Sequence, residues 1–465
     1  MLKNILKNKV PFYTLYPTQS NWEKIEDNKN FNKYLEKFVK SNSQASMYLH
    51  FPFCPKQCYF CHCYTVISRK EDHYEKISLS IIKELELLFK KINQNIKGKL
   101  KVTDVHFGGG TPTVMPLKYF KKISKLIHEN VDKKFLKEMA LEVDPRNNMN
   151  SEKLLEYAEL GVNRLSIGIQ DFNIEVQKAV NRVNGFELIN ELLNKKVRDK
   201  FESINFDFIF GLPKQSLKSL EITTNKIVEL QPSRITLLNM DHRPDIYKHQ
   251  KAYKEADLPS DEKKLEMYNQ CSKILLANKY NKIGVNHFAL GEDILSKYKS
   301  EKKLYRNPNG FSPGWAYDMI SIGPSATGKL GDYYYQNVYS IDKYIEFIDN
   351  EIFPVSREKT LSSEDIKRRK IIMDLLNFEE IDLDQLSKLN ILSKKIINSL
   401  KEFDKIQFLK FNEKHKLYSV SELGSYFINH ICNIFDEYKE NKYQSQREFK
   451  DGIRSLDRNI NLNKI

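Results

Sequence analysis

Between residues 47 and 238, short apolar runs rich in β-branched side chains alternate with longer stretches whose apolar residues recur at helical spacing. The runs predict strands over residues 47–51, 102–107, 139–143, 164–169, 204–209 and 234–238. The stretches between them predict helices over residues 73–91, 117–130, 151–160, 174–180, 185–195 and 216–230. This repeated alternation predicts a parallel sheet with right-handed crossovers, and therefore an α/β fold.

The regions on either side of the alternating segment have a different character. Before it, an aromatic segment that ends at Pro17 precedes a predicted helix over residues 31–39. After it, we predict a helix over 260–278, a strand-like run over 283–288, and irregular structure over the Gly-, Pro- and Tyr-rich residues 290–335.

The C-terminal part, from residue 340, is predicted to be mostly helical. Two short strands, 406–410 and 416–420, precede a final helix over 425–440, an arrangement typical of a winged helix. We therefore expect three parts: an arm with one helix (1–45), a barrel-like region with an extension (46–340), and a helical C-terminal domain (341–465).

The composition excludes several classes of protein. The 465 residues contain only 6 cysteines, too few for a disulfide-stabilised secreted fold. The sequence contains no run of 18 apolar residues, so we expect no membrane-spanning helix. The N-terminal segment lacks the apolar stretch of a secretory signal. The net charge of +14 includes no basic tract, so we expect no nucleic-acid partner, and the charge is compatible with a carboxylate-rich substrate. These features predict a soluble enzyme in a reducing compartment, the cytoplasm.

A cysteine-rich loop directly follows the first predicted strand of the alternating region. Cys54, Cys58 and Cys61 follow the spacing C-x3-C-x2-C. Thiolates select zinc or iron–sulfur clusters, but a zinc site normally uses two well-separated pairs of ligands. Three thiolates on one loop can hold one face of a 4Fe–4S cluster and leave one iron without a cysteine, as a reactive cluster requires. We therefore predict a redox-active 4Fe–4S cluster in preference to structural zinc.

Two neighbours of these cysteines are open to more than one interpretation. Cys63 is either a fourth ligand or a supporting or catalytic thiol near the cluster, and we favour the second role. His62 is either a plain loop residue, which we favour, or a contact to substrate. The other cysteines, Cys271 and Cys432, lie in helical patterns and are predicted to be core residues.

Polar and glycine residues lie at the ends of the predicted strands, where βα folds place ligand contacts. The triplet 108–110 allows a ligand to approach the backbone closely, or simply makes a tight turn. Glu142 suits an ammonium group and Arg182 a carboxylate. Asp207 suits ribose hydroxyls, or caps a local turn. Together with Gln170 at the next strand end, these residues predict one ligand site.

The cysteine loop resembles the signature of the radical S-adenosylmethionine (SAM) superfamily. More closely, the segment from Tyr48 to Cys54, YLHFPFC, resembles the entry to that motif in the oxygen-independent coproporphyrinogen III oxidase family. The resemblance extends over nearly the whole chain. It implies a partial (β/α)6 TIM-like radical SAM barrel, with an N-terminal arm and a mostly helical, winged-helix-like C-terminal domain.

The resemblance also implies roles for individual residues. Cys54, Cys58 and Cys61 would bind the cluster, and Cys63, Tyr48 and His50 would be catalytic. The family binds two SAM molecules. The first would contact Tyr48, Gly109 and Glu142; the second would contact Phe60, Gly110, Thr111, Gln170, Arg182 and Asp207, with Asp241 and Thr327 nearby.

The implied activity is the oxidative decarboxylation of coproporphyrinogen III to protoporphyrinogen IX, through hydrogen abstraction from the β-carbon of two propionates. Arg243, Lys248 and Arg306 are candidates to hold the substrate's carboxylates on charge alone. The implied enzyme is a monomer with an unidentified electron donor and acceptor. The chain departs from the family pattern at Pro308, Asn309, Thr327 and Asp241. The alternatives are therefore a haem chaperone or a radical SAM enzyme that acts on another tetrapyrrole.

Overall fold

The structure is a computed structural model, and it describes residue 5 and residues 10–94, 98–146, 148–308 and 310–438. Asn309, one of the departures from the family pattern, lies outside the described residues, as do residues 439–440 of the predicted final helix.

Strands are numbered β1 to β20 in chain order. They are Glu23–Lys24, Ala45–Phe51, Phe53–Cys54, Val66–Ile67, Val102–Gly109, Glu138–Val143, Arg164–Gln170, Ser203–Phe210, Arg234–Asn239, Tyr280–Ile283, His287–Leu290, Tyr305–Asn307, Gly310–Ser312, Asp318–Ile322, Thr327–Leu330, Tyr333–Asn337, Val355–Thr360, Glu380–Asp382, Leu409–Asn412 and Leu417–Val420.

Helices are numbered α1 to α16 in the same way. They are Lys29–Ser41, Glu71–Asn93, Leu117–Asn130, Ser151–Glu159, Ile174–Ala179, Phe186–Leu192, Lys195–Arg198, Leu217–Glu229, Asp261–Ala277, Ile294–Ser300, Ile341–Asp349, Ser363–Phe378, Leu383–Lys388, Lys394–Lys405, Glu422–Tyr426 and Ile428–Cys432. In the part of the chain that the structure describes, no helix is long and apolar enough to cross a membrane.

The chain forms two compact units. The larger contains Glu23–Asn278 and Trp315–Glu358; the smaller contains the N-terminal segment up to Trp22, then Lys279–Gly314 and the C-terminal region from Lys359. The division into three parts, after residues 45 and 340, stays a prediction.

The larger unit is built on a sheet whose central strands are parallel. The order is β14-β2-β5-β6-β7-β8-β9, so each strand–helix repeat adds its strand next to the previous one. The neighbouring order of β2 and β5 to β9 confirms the predicted α/β fold with a parallel sheet. It also brings the carboxyl ends of the strands to one edge, where ligands of such folds bind.

Packing of this sheet follows from the residue pattern of its strands. β8 has the burial pattern of a strand covered on both faces, with Phe206 and Phe208 fully buried. The amphipathic helix α3, Leu117–Asn130, buries Phe120, Ile123 and Ile127. The sequence predicted this helix with the same bounds, and the six predicted strands of the sheet are confirmed.

The smaller unit joins the N-terminal arm to the C-terminal helices. The Tyr13 hydroxyl donates a hydrogen bond to Asp436 Oδ2 at 2.6 Å and lies 3.0 Å from Asn433 Oδ1. The predicted pair of short strands is found as β19 and β20, and β18 adds a third strand to them. The first strand begins at Leu409 and not at 406, because the chain turns after the preceding helix at Gln407, where φ is +63°. From residue 340 to residue 438, the end of the described part, the chain is mostly helical, as predicted.

Three local predictions are wrong. Residues 290–335, predicted to be irregular, contain α10 and β12 to β16, because their glycines make turns between short strands and their tyrosines favour strands. The run 283–288 is divided between β10 and β11 by a turn at Gly284, where φ is +56°. The final helix is broken into α15, α16 and a 3₁₀ turn, since Phe427 leaves the helical conformation and stacks on Phe408 at 4.5 Å.

A buried carboxylate in the larger unit makes stability depend on pH. Glu84, on α2, is 2% exposed. Its Oε2 accepts from Gly323 N at 2.8 Å, its Oε1 accepts from Asn337 Nδ2 at 2.9 Å, and the Tyr344 hydroxyl also donates to it. Burial raises the pKa of Glu84 to about 7, against the opposing effect of these hydrogen bonds. The folded state therefore binds this proton more tightly than the unfolded chain does.

We predict that stability falls as pH rises from about 4.5 to about 7, by up to about 3 kcal/mol, because the buried carboxyl must then ionise. Glu84→Gln cannot ionise and should flatten this dependence. Urea unfolding at pH 5.5, 6.5 and 7.5 measures it. Glu86→Gln, on the same helix but half exposed, is the matched control and should keep the wild-type slope. Equal slopes for wild type and Glu84→Gln would contradict the assignment.

Candidate active site

The cysteine loop lies between two short parallel strands, β3 and β4, in the larger unit. Cys54 ends β3 and is paired with Ile67 of β4. The loop is fixed by backbone hydrogen bonds, from Cys61 N to Cys58 O at 3.2 Å and from Tyr59 N to Val180 O at 3.0 Å. Cys54 and Cys61 are half-buried, Cys58 is buried, and Cys63 is exposed. The three predicted ligands therefore belong to one ordered loop at the carboxyl edge of the sheet.

The three sulfurs have different partners. Cys54 Sγ lies 3.2 Å from the Thr111 hydroxyl, and burial raises the pKa of Cys54 to about 12 against the opposing effect of that hydrogen bond. A hydrogen bond with Cys63, followed by burial, raises the pKa of Cys61. In the described part of the chain, no three Cys, His, Asp or Glu side chains already converge as ligands of one metal ion. The fit to a cluster is therefore judged by donor type and spacing.

Two arginines approach the third sulfur. Arg146 Nη2 donates to Cys58 Sγ at 3.2 Å, and Arg182 Nη1 lies 3.5 Å from the same atom. Asp144 Oδ2 binds both guanidinium groups, at 2.6 Å and 3.2 Å. Burial would raise the pKa of Asp144, but Arg182 and Arg146 outweigh it and lower the pKa to about 2. Asp144 thus holds both arginines, and with them positive charge, towards the cysteine loop.

The glycine triplet turns back against the strand that leads into the cysteine loop. Gly109 has φ +113°, and a Cβ there would lie 2.8 Å from the His50 ring. A Cβ at Gly108 would lie 2.7 Å from Glu142 Oε1. Gly110 N donates to Phe51 O at 2.7 Å. The triplet is therefore more than a turn, because only glycine lets β5 come this close to His50 and Glu142.

Glu142, near the end of β6, is held from two sides. Its Oε2 accepts from Gly109 N at 3.2 Å, and its Oε1 accepts from His106 Nε2 at 2.9 Å. The side chain of Glu142 is still 39% exposed. A carboxylate fixed in this way, with lone pairs open to solvent, suits a positively charged ligand group.

Tyr48 and His50 form a second hydrogen-bonded pair at this edge. His50 Nε2 donates to the Tyr64 carbonyl at 3.1 Å, so Nδ1 is the acceptor for the Tyr48 hydroxyl at 2.9 Å. Burial lowers the pKa of His50 to about 4, which keeps the ring neutral at physiological pH. Burial also raises the pKa of Tyr48.

Gln170 and Arg182 carry polar atoms that lack partners. Gln170 ends β7 at an irregularity in the strand register and has φ +68°. Arg182 Nη2 donates to Gly168 O at 2.7 Å. Gln170 Oε1 and Arg182 Nε are buried without a hydrogen-bond partner among the described residues. Since unpaired buried polar atoms are costly, they mark this end of β7 as a place for a polar ligand.

Asp207 lies in the neighbouring strand β8 and is already hydrogen-bonded. It accepts from Ser166 Oγ at 3.0 Å and from Asn205 Nδ2 at 2.8 Å. Burial raises the pKa of Asp207, against the opposing effect of these hydrogen bonds. Part of its role is therefore structural, but Asp207 lies within β8 and does not cap a turn, which was the alternative expected from the sequence.

The segment after β9 packs over the cysteine loop. The Asp241 carbonyl lies 2.9 Å from His62 Nε2, and the His62 ring stacks on Tyr247 at 4.3 Å. His249 Nε2 donates to the Cys61 carbonyl at 2.7 Å. Phe60 packs against the apolar cluster of Val176, Val180, Ile209, Leu212, Met240 and Tyr253. His62 is therefore an anchored loop residue, while Asp241 contributes backbone to the loop.

Thr327 starts β15, where its hydroxyl accepts from Gln336 Nε2 at 3.2 Å. The turn before it approaches the site, since a Cβ at Gly323 would lie 2.3 Å from the His50 carbonyl. Arg243 and Lys248 belong to the segment after β9 in the larger unit. Arg306 and Pro308 belong to the smaller unit, where Arg306 is buried against the rings of Phe12 and Phe311.

His106 and Arg164 were missed from the sequence. His106 lies two residues before Gly108 in β5 and therefore points to the same face of the sheet. The signal that could have identified His106 was a polar residue two positions before the glycine triplet, on the same face of the strand. Arg164, the first residue of β7, was included only as part of a predicted strand.

Comparisons with known proteins agree with this geometry. The family model of the radical SAM superfamily matches residues 48–227. The oxygen-independent coproporphyrinogen III oxidase of Helicobacter pylori strain 26695 is 33% identical, over 92% of this chain and 94% of the relative. That of Escherichia coli K12 is 32% identical, over 94% of each chain. The solved structure of the Escherichia coli coproporphyrinogen III oxidase, a radical SAM enzyme, superposes with a TM-score of 0.84 at 31% identity, over 92% of this chain and 97% of that chain.

Proposed function

Because the chain belongs to the oxygen-independent coproporphyrinogen III oxidase family of the radical SAM superfamily, we propose that it oxidatively decarboxylates two propionates of coproporphyrinogen III, giving protoporphyrinogen IX. The observation that carries the proposal is the ordered loop of Cys54, Cys58 and Cys61 beside the fixed carboxylate of Glu142. The three thiols are soft metal ligands, the Glu142 carboxylate can bind an ammonium group, and both belong to the same edge of the sheet.

A 4Fe–4S cluster fits the cysteine loop by its donor chemistry. Three thiols within eight residues leave one iron free for another ligand. When bound, the cluster and SAM together supply the one-electron chemistry that removes a hydrogen atom from the substrate. Burial and neighbouring groups raise the pKa of Cys54 and Cys61, so uptake of the cluster releases protons from these thiols.

The first SAM is bound by Tyr48, Gly109 and Glu142. Glu142 accepts the ammonium group of the methionine part, for which its exposed lone pairs are positioned by Gly109 N. Tyr48 closes the same face, with its ring 3.0 Å from the position of a Cβ on Gly108. These residues orient the ligand and exclude water from it.

The second SAM is bound near the end of β7. The unpartnered Gln170 Oε1 and Arg182 Nε support this assignment, because a polar ligand would satisfy both. The remaining contacts in this proposal are Phe60, Gly110, Thr111 and Asp207, with Asp241 and Thr327 nearby.

Tyr48, His50 and Cys63 are the proposed catalytic residues. The neutral His50 ring accepts a hydrogen bond from the Tyr48 hydroxyl at Nδ1 and thereby fixes the orientation of that hydroxyl. The exposed Cys63 thiol has access to a reacting group at the edge of the loop. Loss of the hydrogen atom and one electron from the propionate, with departure of carbon dioxide, leaves a vinyl group.

The proposal includes a cytoplasmic, monomeric enzyme with a separate electron donor and electron acceptor, and no nucleic-acid partner. The chain has only 6 cysteines, and four of them lie within residues 54–63, a usage that suits a reducing compartment. The tetrapyrrole substrate carries carboxylates that suit the net charge of +14.

The test is product analysis of the anaerobically reconstituted protein with reductant, SAM and coproporphyrinogen III. We expect the stepwise loss of two carboxyl groups, measured by mass spectrometry, and formation of 5′-deoxyadenosine. Formation of 5′-deoxyadenosine without decarboxylation would contradict the substrate and favour another tetrapyrrole. Tight haem binding without SAM cleavage would overturn the proposal in favour of a haem chaperone.

A further inference from the structure

A buried polar chain lies behind the Glu142 carboxylate, inside the larger unit. His106 Nε2 contacts Glu142 Oε1 at 2.9 Å, and His106 Nδ1 lies 3.2 Å from Arg164 Nη2. Arg164 Nε in turn donates to Glu138 Oε1 at 2.7 Å. The His106 side chain is only 13% exposed, against 39% for Glu142. The chain therefore runs from the sheet interior to the exposed carboxylate.

The strand register explains how these groups meet. Ala140 of β6 is paired with His106 on one side and with Arg164 on the other. Paired residues of neighbouring strands point to the same face, so His106, Ala140 and Arg164 lie side by side. Because the Ala140 side chain is only a methyl group, it leaves room for the longer side chains of His106 and Arg164 to meet above it. Glu142 lies two residues beyond Ala140 and points to the same face.

The contacts determine which nitrogen of His106 carries the proton. A guanidinium group has only donors, so Nδ1 facing Arg164 Nη2 must be the acceptor. The proton of the neutral ring is then on Nε2, which donates to Glu142 Oε1. A proton on Nδ1 would face the positive charge of Arg164. Arg164 is itself held by Glu138, whose pKa remains lowered because Arg164 and Arg234 outweigh the effect of burial.

We propose that His106 is a positioning residue that orients Glu142 for the ammonium group of the first SAM, and that Arg164 sets the tautomer in which His106 can do so. This inference rests on the proposed function and extends it to two residues behind the ligand. With His106 on Oε1 and Gly109 N on Oε2, the carboxylate is held in one orientation before the ligand binds. Without His106 it must be ordered by the ligand itself, which costs affinity.

The test compares binding of two ligands to cluster-loaded protein by equilibrium dialysis. One is SAM, and the other is the sulfonium analogue that lacks the α-amino group. His106→Leu removes the hydrogen bond, whereas His106→Gln keeps an acceptor for Arg164 and a donor for Glu142. For His106→Leu we expect SAM affinity to fall by about tenfold, with little change for the analogue. His106→Gln should recover most of the loss.

Equal losses for both ligands, or no loss in His106→Leu, would overturn the positioning role. If His106→Leu loses its cluster iron or its cooperative melting, the His106→Gln and His106→Asn pair decides instead. Gln spans the distance between Arg164 and Glu142 and the shorter Asn does not, so equal SAM affinities in that pair would overturn the proposal. Failure of the wild-type protein to bind SAM would contradict the proposed function, and this outcome is distinct from a failure of the positioning role.

Discussion

Cys58→Ala is expected to abolish cluster binding and activity together. The substitution removes one of the three predicted ligand sulfurs, together with the acceptor that Arg146 and Arg182 face. Two thiols cannot hold a 4Fe–4S cluster at three of its irons. We expect bound iron to fall to background, and SAM cleavage to fall by about a thousandfold or more. Iron analysis, the visible absorption of the cluster and 5′-deoxyadenosine release measure the effect.

Two other cysteines are matched controls for this prediction. Cys271 is fully buried on α9, where its sulfur contacts the Thr224 hydroxyl at 3.3 Å. Cys271→Ala should keep its cluster and lose only stability. Cys63→Ala removes an exposed thiol and should keep the cluster while losing decarboxylation. Full cluster iron in Cys58→Ala would contradict the assignment of the loop, and cluster loss in Cys63→Ala would make Cys63 a ligand.

Gly109→Ala is expected to have the second-largest effect. Gly109 has φ +113°, and the new methyl group would lie 2.8 Å from the His50 ring and from the Phe51 carbonyl. His50 and the Gly109 amide must therefore move, and the amide holds Glu142 Oε2. Displacements of this size cost catalysis about a hundredfold. We expect kcat/KM for SAM to fall by about that factor, measured from 5′-deoxyadenosine release as the SAM concentration is varied.

Gly98→Ala separates backbone strain from this clash. Gly98 has the same φ, +113°, but a Cβ there would meet no atom of the described residues within 4 Å. Its replacement should cost about 1 kcal/mol of stability through strain alone and leave kcat/KM unchanged. If Gly98→Ala lost as much activity as Gly109→Ala, backbone strain alone would account for the loss. The displacement of His50 would then not be its cause.

The parallel sheet was accessible from sequence because its strands are short, apolar and separated by amphipathic helices of ordinary length. The predicted strands lie within one or two residues of β2 and β5 to β9. The strand-end residues could be grouped for the same reason, since parallel order carries their side chains to one edge. Gly109, Glu142 and Gln170 could therefore be assigned to one site from their positions in the sequence.

Long-range pairing was not accessible in the same way. β14, Asp318–Ile322, is the parallel neighbour of β2, although more than 260 residues separate them in the chain. Local patterns carry no information about such a partner. The contact between His106 and Arg164 likewise depends on the register of three strands around Ala140. The prediction for the turn-rich residues 290–335 failed because glycine spacing marks turns without showing that the intervening strands pair.

The most direct test of the proposed reaction follows the abstracted hydrogen atom from the propionate of the substrate to 5′-deoxyadenosine. Coproporphyrinogen III deuterated at the β-carbons of its propionates is incubated with the reduced, cluster-loaded protein and SAM, and the 5′-deoxyadenosine is analysed by mass spectrometry. We expect deuterium to appear in 5′-deoxyadenosine in proportion to the vinyl groups formed. Vinyl formation with unlabelled 5′-deoxyadenosine, or SAM cleavage that leaves every propionate intact, would contradict the proposed reaction.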